Sequence, residues 1–185
     1  MKVMIITGSP NKDGLTETCG QAARMGIEEA GGEAVMVRLN DLEISNCHAC
    51  GNGWGTCRIE HECQVKDDFQ ELHKHMGEMD AYVVVTPVYW GDMSESVKAF
   101  FDRLRRCEAL REKNMLEGKP VISVAAAGGT GNGTNTCLAS MERLFLHVRA
   151  VRQDMIGITR KNKKSMLEAI RCSAGEMAAG KQALV

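Results

Sequence analysis

Five short runs of apolar and β-branched residues, each followed by a longer segment of helical period, constrain this chain more than any other feature. Lys2–Thr7, Ala34–Leu39, Ala81–Thr86, Val121–Ala126 and Val151–Ile158 have the length and composition of strands. Helices are predicted between and after them. The first, Leu15–Ala30, stops at Gly31-Gly32, and glycine is a common helix terminator. Val97, Phe100, Phe101 and Leu104 fall at i, i+3, i+4 and i+7, and Leu138, Met141, Phe145 and Val148 repeat the stripe. Asp67–Met79 and Lys163–Ala179 supply the last two helices. Strand–helix alternation sustained in this way predicts an α/β fold, doubly wound, with a five-stranded parallel sheet covered on both faces.

A length of 185 residues suits one domain, residues 1–185, with no internal repeat or linker. The stretch from Asp41 to Lys66 is long for a strand-to-helix connection and reads as an insertion of functional character. A net charge of -1 gives no pull toward nucleic acid or an anionic membrane. The longest apolar run, Ala81–Val85, is too short to span a bilayer, and the opening "MKVMIITGSP" is too short in its apolar part for a signal peptide. A cytoplasmic location is therefore expected. In that compartment the eight cysteines stay thiols or bind metal, and the sequon Asn132-Gly133-Thr134 is coincidental.

Three unusual loops follow the first, third and fourth strands, so all project from the carboxyl edge of the sheet, where doubly wound folds bind ligands. In "GSPNKDGLTE", Ser9, Asn11, Gly14 and Thr16 stand where the first helix begins. Free N–H groups and the helix dipole favour an anion there, such as a phosphate monoester; an ordinary capped turn is the plain alternative. In "TPVYWGDMS", Tyr89 and Trp90 sit beside Gly91, after a proline expected to end the strand. With only two tryptophans, two tyrosines and four phenylalanines in the chain, adjacent rings at a strand end read as a wall for a flat ligand, or as packing over a helix. In "AAGGTGNGTN", Gly128, Gly129, Gly131 and Gly133 permit close backbone approach. Neither G-x-G-x-x-G nor G-x-x-x-x-G-K-[ST] occurs, which argues against a dinucleotide fold or a P-loop NTPase. Together the loops describe a site for a mononucleotide with a planar head, for which FMN is the natural candidate.

"GSPNKDGLT" and "TPVYWGDMSESVKAFFDR" resemble the two signature segments of the NADPH-dependent FMN reductase family, a flavodoxin-like group, and the order of elements is similar over nearly the whole chain. The cysteine-rich loop leading into "CQVKDDF" resembles the iron–sulfur flavoprotein branch of that family. The resemblance implies a flavodoxin-like sheet of order 2-1-3-4-5. It also implies that Ser9, Asn11 and Thr16 hold the FMN phosphate with backbone N–H groups of Gly14 and Leu15. The family often has asparagine at the position of Leu15, so that side-chain contact is absent. Pro87, Val88, Tyr89, Trp90 and Gly91 would line the isoalloxazine, and Gly128 and Gly129 would approach it from the other side. The implied activity is an FMN-dependent oxidoreductase with NAD(P)H as a possible donor, a small molecule or protein as electron partner, and a homodimer or homotetramer as the assembly. A one-electron carrier or a non-redox zinc-binding regulatory domain are the alternatives.

Cys47, Cys50, Cys57 and Cys63 form the pattern C-x2-C-x6-C-x5-C. Iron–sulfur flavoproteins typically carry C-x2-C-x2-C with a fourth cysteine further on, so four extra residues, Trp54 among them, separate the second and third thiols here. A 4Fe–4S cluster needs four sulfurs converging on one small volume, and Gly51, Gly53 and Gly55 make the longer loop pliable enough. Zinc is the main rival, although structural zinc usually shows two short knuckles, and unligated thiols are the third reading. His48 and His61 read as solvated loop residues. Cys19, Cys107 and Cys172 are expected to pack as small apolar residues, Cys137 to pack as well or to have its pKa lowered by a helix start, and the run "RKNKK" from Arg160 to form a solvated turn. No general acid or base stands out.

Overall fold

The structure, a computed structural model, describes residues 1–181. Five strands pair in parallel: β1 (Lys2–Thr7), β2 (Glu33–Arg38), β3 (Ala81–Tyr89), β5 (Pro120–Ala127) and β6 (Val151–Thr159). Their order is β2-β1-β3-β5-β6, and a two-residue strand, β4 (Asp92–Met93), folds back antiparallel on the end of β3. With that hairpin set aside, this is the expected order 2-1-3-4-5. The helices are α1 (Leu15–Glu29), α2 (Cys50–Gly53, a single turn kinked at Gly51 and Asn52), α3 (Phe69–Met76), α4 (Glu95–Glu108), α5 (Thr134–His147) and α6 (Lys163–Ala178).

Alternation along the strands divides the core into two layers. Met4, Ile6, Tyr82, Val84, Val121 and Ala125 face α3, α4 and α5. Val3, Ile5, Val83, Val85, Ile122 and Val124 face α1 and α6. Central β1 and β3 are buried on both faces and therefore read as continuous apolar runs, whereas β2, at the sheet's edge, is only partly buried.

Several expected boundaries move by a residue or more, and three of the shifts have a visible cause. Strand β2 ends at Arg38, because buried Leu39 turns into a short 3-10 segment, Leu39–Asp41. Helix α3 is shorter than expected: Gly77 caps it, and Met79 lies in the following turn with its N–H on the Met76 carbonyl. Strand β3 does not end at its proline but continues through Pro87 and Val88 to Tyr89. The Val85 carbonyl accepts the N–H of Gly8, where β1 has just ended. Pro87, two residues on, presents its missing N–H to that same side, beyond the last residue of β1, so no ladder bond is lost.

Helices α1 and α6 cross at glycines. A Cβ on Gly26 would stand 2.0 Å from the Arg171 carbonyl oxygen, and one on Gly175 would stand 3.0 Å from that of Gly26. The contacting atoms are backbone, so the helices themselves must separate to admit a methyl group. Gly26→Ala is expected to lower stability by about 1–3 kcal/mol, the usual cost of overpacking, as measured by urea unfolding.

Candidate functional site

Because every long strand runs the same way, the connections after β1, β3 and β5 leave from one edge, and hydrogen bonds tie them together there. Gly8 donates its N–H to Val85 (3.0 Å) and its carbonyl accepts Ser94 Oγ at the start of α4 (2.7 Å). A Cβ on Gly8 would fall 2.1 Å from Val97 Cγ2, so only glycine fits this crossing. Beyond it, Ser9 Oγ accepts the N–H of Asn11 and Asn11 Oδ1 accepts that of Asp13, folding the loop into consecutive turns. Gly14 precedes α1 without any side-chain cap. Leu15 and buried Thr16 thus open a helix whose first N–H groups are left for an outside acceptor.

The second loop is a two-residue hairpin. Val88 pairs with Met93 and Tyr89 with Asp92, and the turn residues Trp90 and Gly91 both have positive φ, 52° and 80°. Positive φ at both turn positions belongs to the type I′ turn, and a residue as bulky as tryptophan rarely adopts it. Tyr89 is 42% exposed and Trp90 fully exposed. The hairpin seats on the third loop. Thr136 Oγ1 donates to the Gly91 carbonyl (2.7 Å), and a Cβ on Gly133 would fall 2.5 Å from Gly91 Cα. A Cβ on Gly128 or Gly129 would meet nothing within 4 Å, which leaves that stretch of backbone open to approach. Ser94 and Thr136, which fasten the loops, were not singled out from the sequence. A hydroxyl beside each helix start was the available signal, but it ordinarily indicates a cap.

The four clustered cysteines lie in the connection between β2 and α3. Cys47, Cys50, Cys57 and Cys63 all border one cavity of ≈ 20 Å³, closed by Arg103 and Arg106 of α4 and flanked by His48. Cys57 is buried and the other three are partly exposed. Ala49 and His61, both with positive φ, help bend the loop round, and the ring of His61 reaches the Cys107 carbonyl at 3.2 Å. The residues that lengthen the motif are anchored on α4: the Gly53 carbonyl accepts Arg106 Nη1, and the Arg106 guanidinium lies 4.7 Å from the Trp54 ring. Among the described residues no three His, Cys, Asp or Glu side chains are drawn together closely enough to hold a metal ion. The donors line one cavity without converging on a point.

Arg103 braces this loop. It is 1% exposed and forks onto the Asp67 carboxylate (2.6 and 2.9 Å), with further donations to the carbonyls of Ser45 and Val65 (3.1 and 3.2 Å). Asp67 also accepts the N–H and Oγ–H of Ser45 and the N–H of Phe69. Burial works against the Asp67 charge, but bonds from Arg103 and Ser45 outweigh it and hold the carboxyl well below the usual range. Cys107 packs behind the cavity. Burial first, then the neighbouring Cys63 and Cys57, push its thiol up to about 12.

The remaining cysteines divide. Cys19 is buried as expected. Cys137 is not activated by its helix start: it is fully buried, and burial pushes its thiol up to about 12. Cys172, expected to pack, is instead exposed and donates to Glu168. Arg160, Lys161, Lys163 and Lys164 are exposed as expected, but the turn covers only Arg160 to Asn162, and Lys163 and Lys164 open α6.

Residues 1–162 match the family described as NADPH-dependent FMN reductase. The chain belongs to that family. It is similar to an iron–sulfur flavoprotein of Methanocaldococcus jannaschii, at 33% identity over 79% of this chain and 72% of the relative. A second iron–sulfur flavoprotein, of Methanosarcina thermophila, is 35% identical over 72% of this chain, which spans 66% of that relative, just under two thirds of its length. Among solved structures, the NAD(P)H:quinone oxidoreductase of Methanothermobacter marburgensis superposes with a TM-score of 0.71 at 20% identity, covering 96% of each chain. That likeness is one of fold. Membership makes this chain an FMN-dependent oxidoreductase of flavodoxin-like fold. No helix among the described residues is long and apolar enough to cross a membrane.

The depressed Asp67 carboxyl predicts an acid dependence of stability. A carboxylate whose folded pKa lies below its unfolded value contributes fully above the unfolded pKa, about 4, and loses that contribution as pH falls further. Asp67→Asn is expected to cost about 3–5 kcal/mol at neutral pH, since Arg103 is left buried without its counter-charge. It should also flatten the loss of stability on acidification below pH about 4, measured by denaturant unfolding across that range.

Proposed function

We propose that this chain is a two-centre redox flavoprotein, carrying FMN at the loop edge and a 4Fe–4S cluster at the cysteine cavity, with a nicotinamide nucleotide as a possible electron donor. Ser9, Asn11 and Thr16, with the N–H groups of Gly14 and Leu15, would hold the FMN phosphate. Pro87, Val88, Tyr89, Trp90 and Gly91 would line its ring from one side and Gly128 and Gly129 from the other. The residues suit FMN because α1 begins without a side-chain cap and the Gly128-Gly129 backbone is open. Bound FMN exchanges electrons singly or in pairs.

Cys47, Cys50, Cys57 and Cys63 would hold the cluster, which supplies one-electron exchange. The observation that carries this reading is the donor set: four thiols and two guanidinium groups around one cavity, a composition suited to a sulfur-ligated anion. The names of the archaeal relatives support iron over zinc. The chain's own residues do the remaining work. Arg106 and Trp54 pin the long arm of the motif, Arg103 and Asp67 pin its exit, and Thr136 holds the aromatic hairpin over the edge. The exposed Tyr89 and Trp90 support a homodimer or homotetramer in which a second subunit covers them. A reducing cytoplasm would keep the thiols competent.

Anaerobically purified protein is expected to contain FMN with about four irons and four sulfides per chain. Cys50→Ser and Cys57→Ser should lose iron and keep flavin. Zinc in place of iron, or flavin with neither metal, would sink the cluster assignment and leave the FMN assignment standing. Independently, Thr16→Val and Ser9→Ala are each expected to weaken FMN binding by about 10-fold, the loss of a hydrogen bond to a charged group, as read by flavin fluorescence titration.

A further inference from the structure

Among the described residues two buried side-chain nitrogens have no acceptor, Arg103 Nε and Asn114 Nδ2. The first is the more demanding, because a buried guanidinium with an unmade bond is costly unless something answers it. Four of the five N–H groups of Arg103 are spent: Nη1 and Nη2 each donate to one Asp67 oxygen and one backbone carbonyl. The Phe69 ring covers the guanidinium plane at 4.3 Å. Arg103 also lines the cavity bordered by the four thiols, and Nε is its only donor without an acceptor. A neutral thiol is a poor acceptor and a thiolate or sulfide a good one.

We propose that the Nε–H of Arg103 is held for a sulfur of the anionic group that the four thiols bind, and that Arg103 thereby sets that group's reduction potential as a positioning residue. The assignment rests on the cluster reading given above. Asp67 offsets the guanidinium charge at longer range, since the pair is neutral overall. What remains at the cavity is a directed N–H dipole, which favours the more negative, reduced state and so raises the potential. A purely structural brace would need only the salt bridge and the two carbonyl bonds, which leave Nε idle.

The test uses the full chain, purified anaerobically with its cluster, in three forms: unmodified, Arg103→Lys, and the double variant Asp67→Asn with Arg103→Gln. Lysine keeps the charge opposite Asp67 and removes the Nε–H. The double variant neutralises both partners together, so no buried charge is stranded. Iron, sulfide and melting temperature are measured alongside the midpoint potential, followed by electron paramagnetic resonance. Both variants are expected to keep iron and sulfide and to show a more negative midpoint. In unmodified protein labelled with nitrogen-15 at arginine Nε, pulsed resonance on the reduced cluster is expected to read a nitrogen-15 hyperfine coupling that Arg103→Lys loses. An unmoved midpoint in a variant that retains its cluster, or no coupling in the unmodified protein, overturns the assignment. The isotope measurement needs no substitution, so it decides the matter even if neither variant folds. Unmodified protein without iron would overturn the cluster reading and the role of Arg103 with it; loaded protein with an unmoved midpoint overturns the role alone.

Discussion

Parallel pairing is the constraint on which the rest of this molecule depends. Once β1, β3 and β5 lie side by side in one direction, their exits must share an edge, and every helix must return the chain to the opposite edge. The anion-receptive start of α1, the aromatic hairpin and the open glycine shoulder become neighbours through that geometry alone. The bonds that fasten them are few and specific: Ser94 on Gly8, Thr136 on Gly91, and two glycine crossings too tight for a side chain. Flavodoxin-like folds place ligands at this edge for the same reason.

The cysteine loop obeys a different rule. It belongs to neither a strand nor a long helix, so its shape is set from outside, by one face of α4. Arg103 and Arg106 stand one turn apart on that helix and hold the two arms of the loop, the first through Ser45, Val65 and Asp67, the second through Gly53 and Trp54. This arrangement accounts for the off-pattern spacing between Cys50 and Cys57. The added residues are spent on an anchor rather than on slack, and the four thiols still border one cavity. Helix α4 therefore joins both regions: its first residues close on Gly8 at the loop edge, and its middle underlies the thiols.

Much of this was legible beforehand because the signals are local. β-branched runs and apolar stripes found the five long strands and five long helices. Glycine and hydroxyl residues after strand ends marked the shared loop edge, and cysteine density marked the insertion. The misses have local causes too. Pro87 signalled a strand end, but its missing N–H faces the side where β1 has stopped. The β4 hairpin hid behind a tryptophan at a positive-φ position where asparagine or glycine is usual. Cys172 was expected to pack, but it falls on the outer face of its helix, exposed and bonded to Glu168 one turn back.

The sequence by itself determined the alternating elements, the direction in which the three loops leave the sheet, and the supply of four thiols in one loop. Tertiary structure alone decided which distant groups answer one another. Nothing local in the sequence singles out Arg103. In the fold it is among the most buried side chains because Asp67, 36 residues away, meets it. Thr136 and Gly91, 45 residues apart, are joined in the same way. Periodicity and turn chemistry report only on neighbours along the chain, whereas a buried charge or an idle donor is defined by what the packed sheet and helices bring against it.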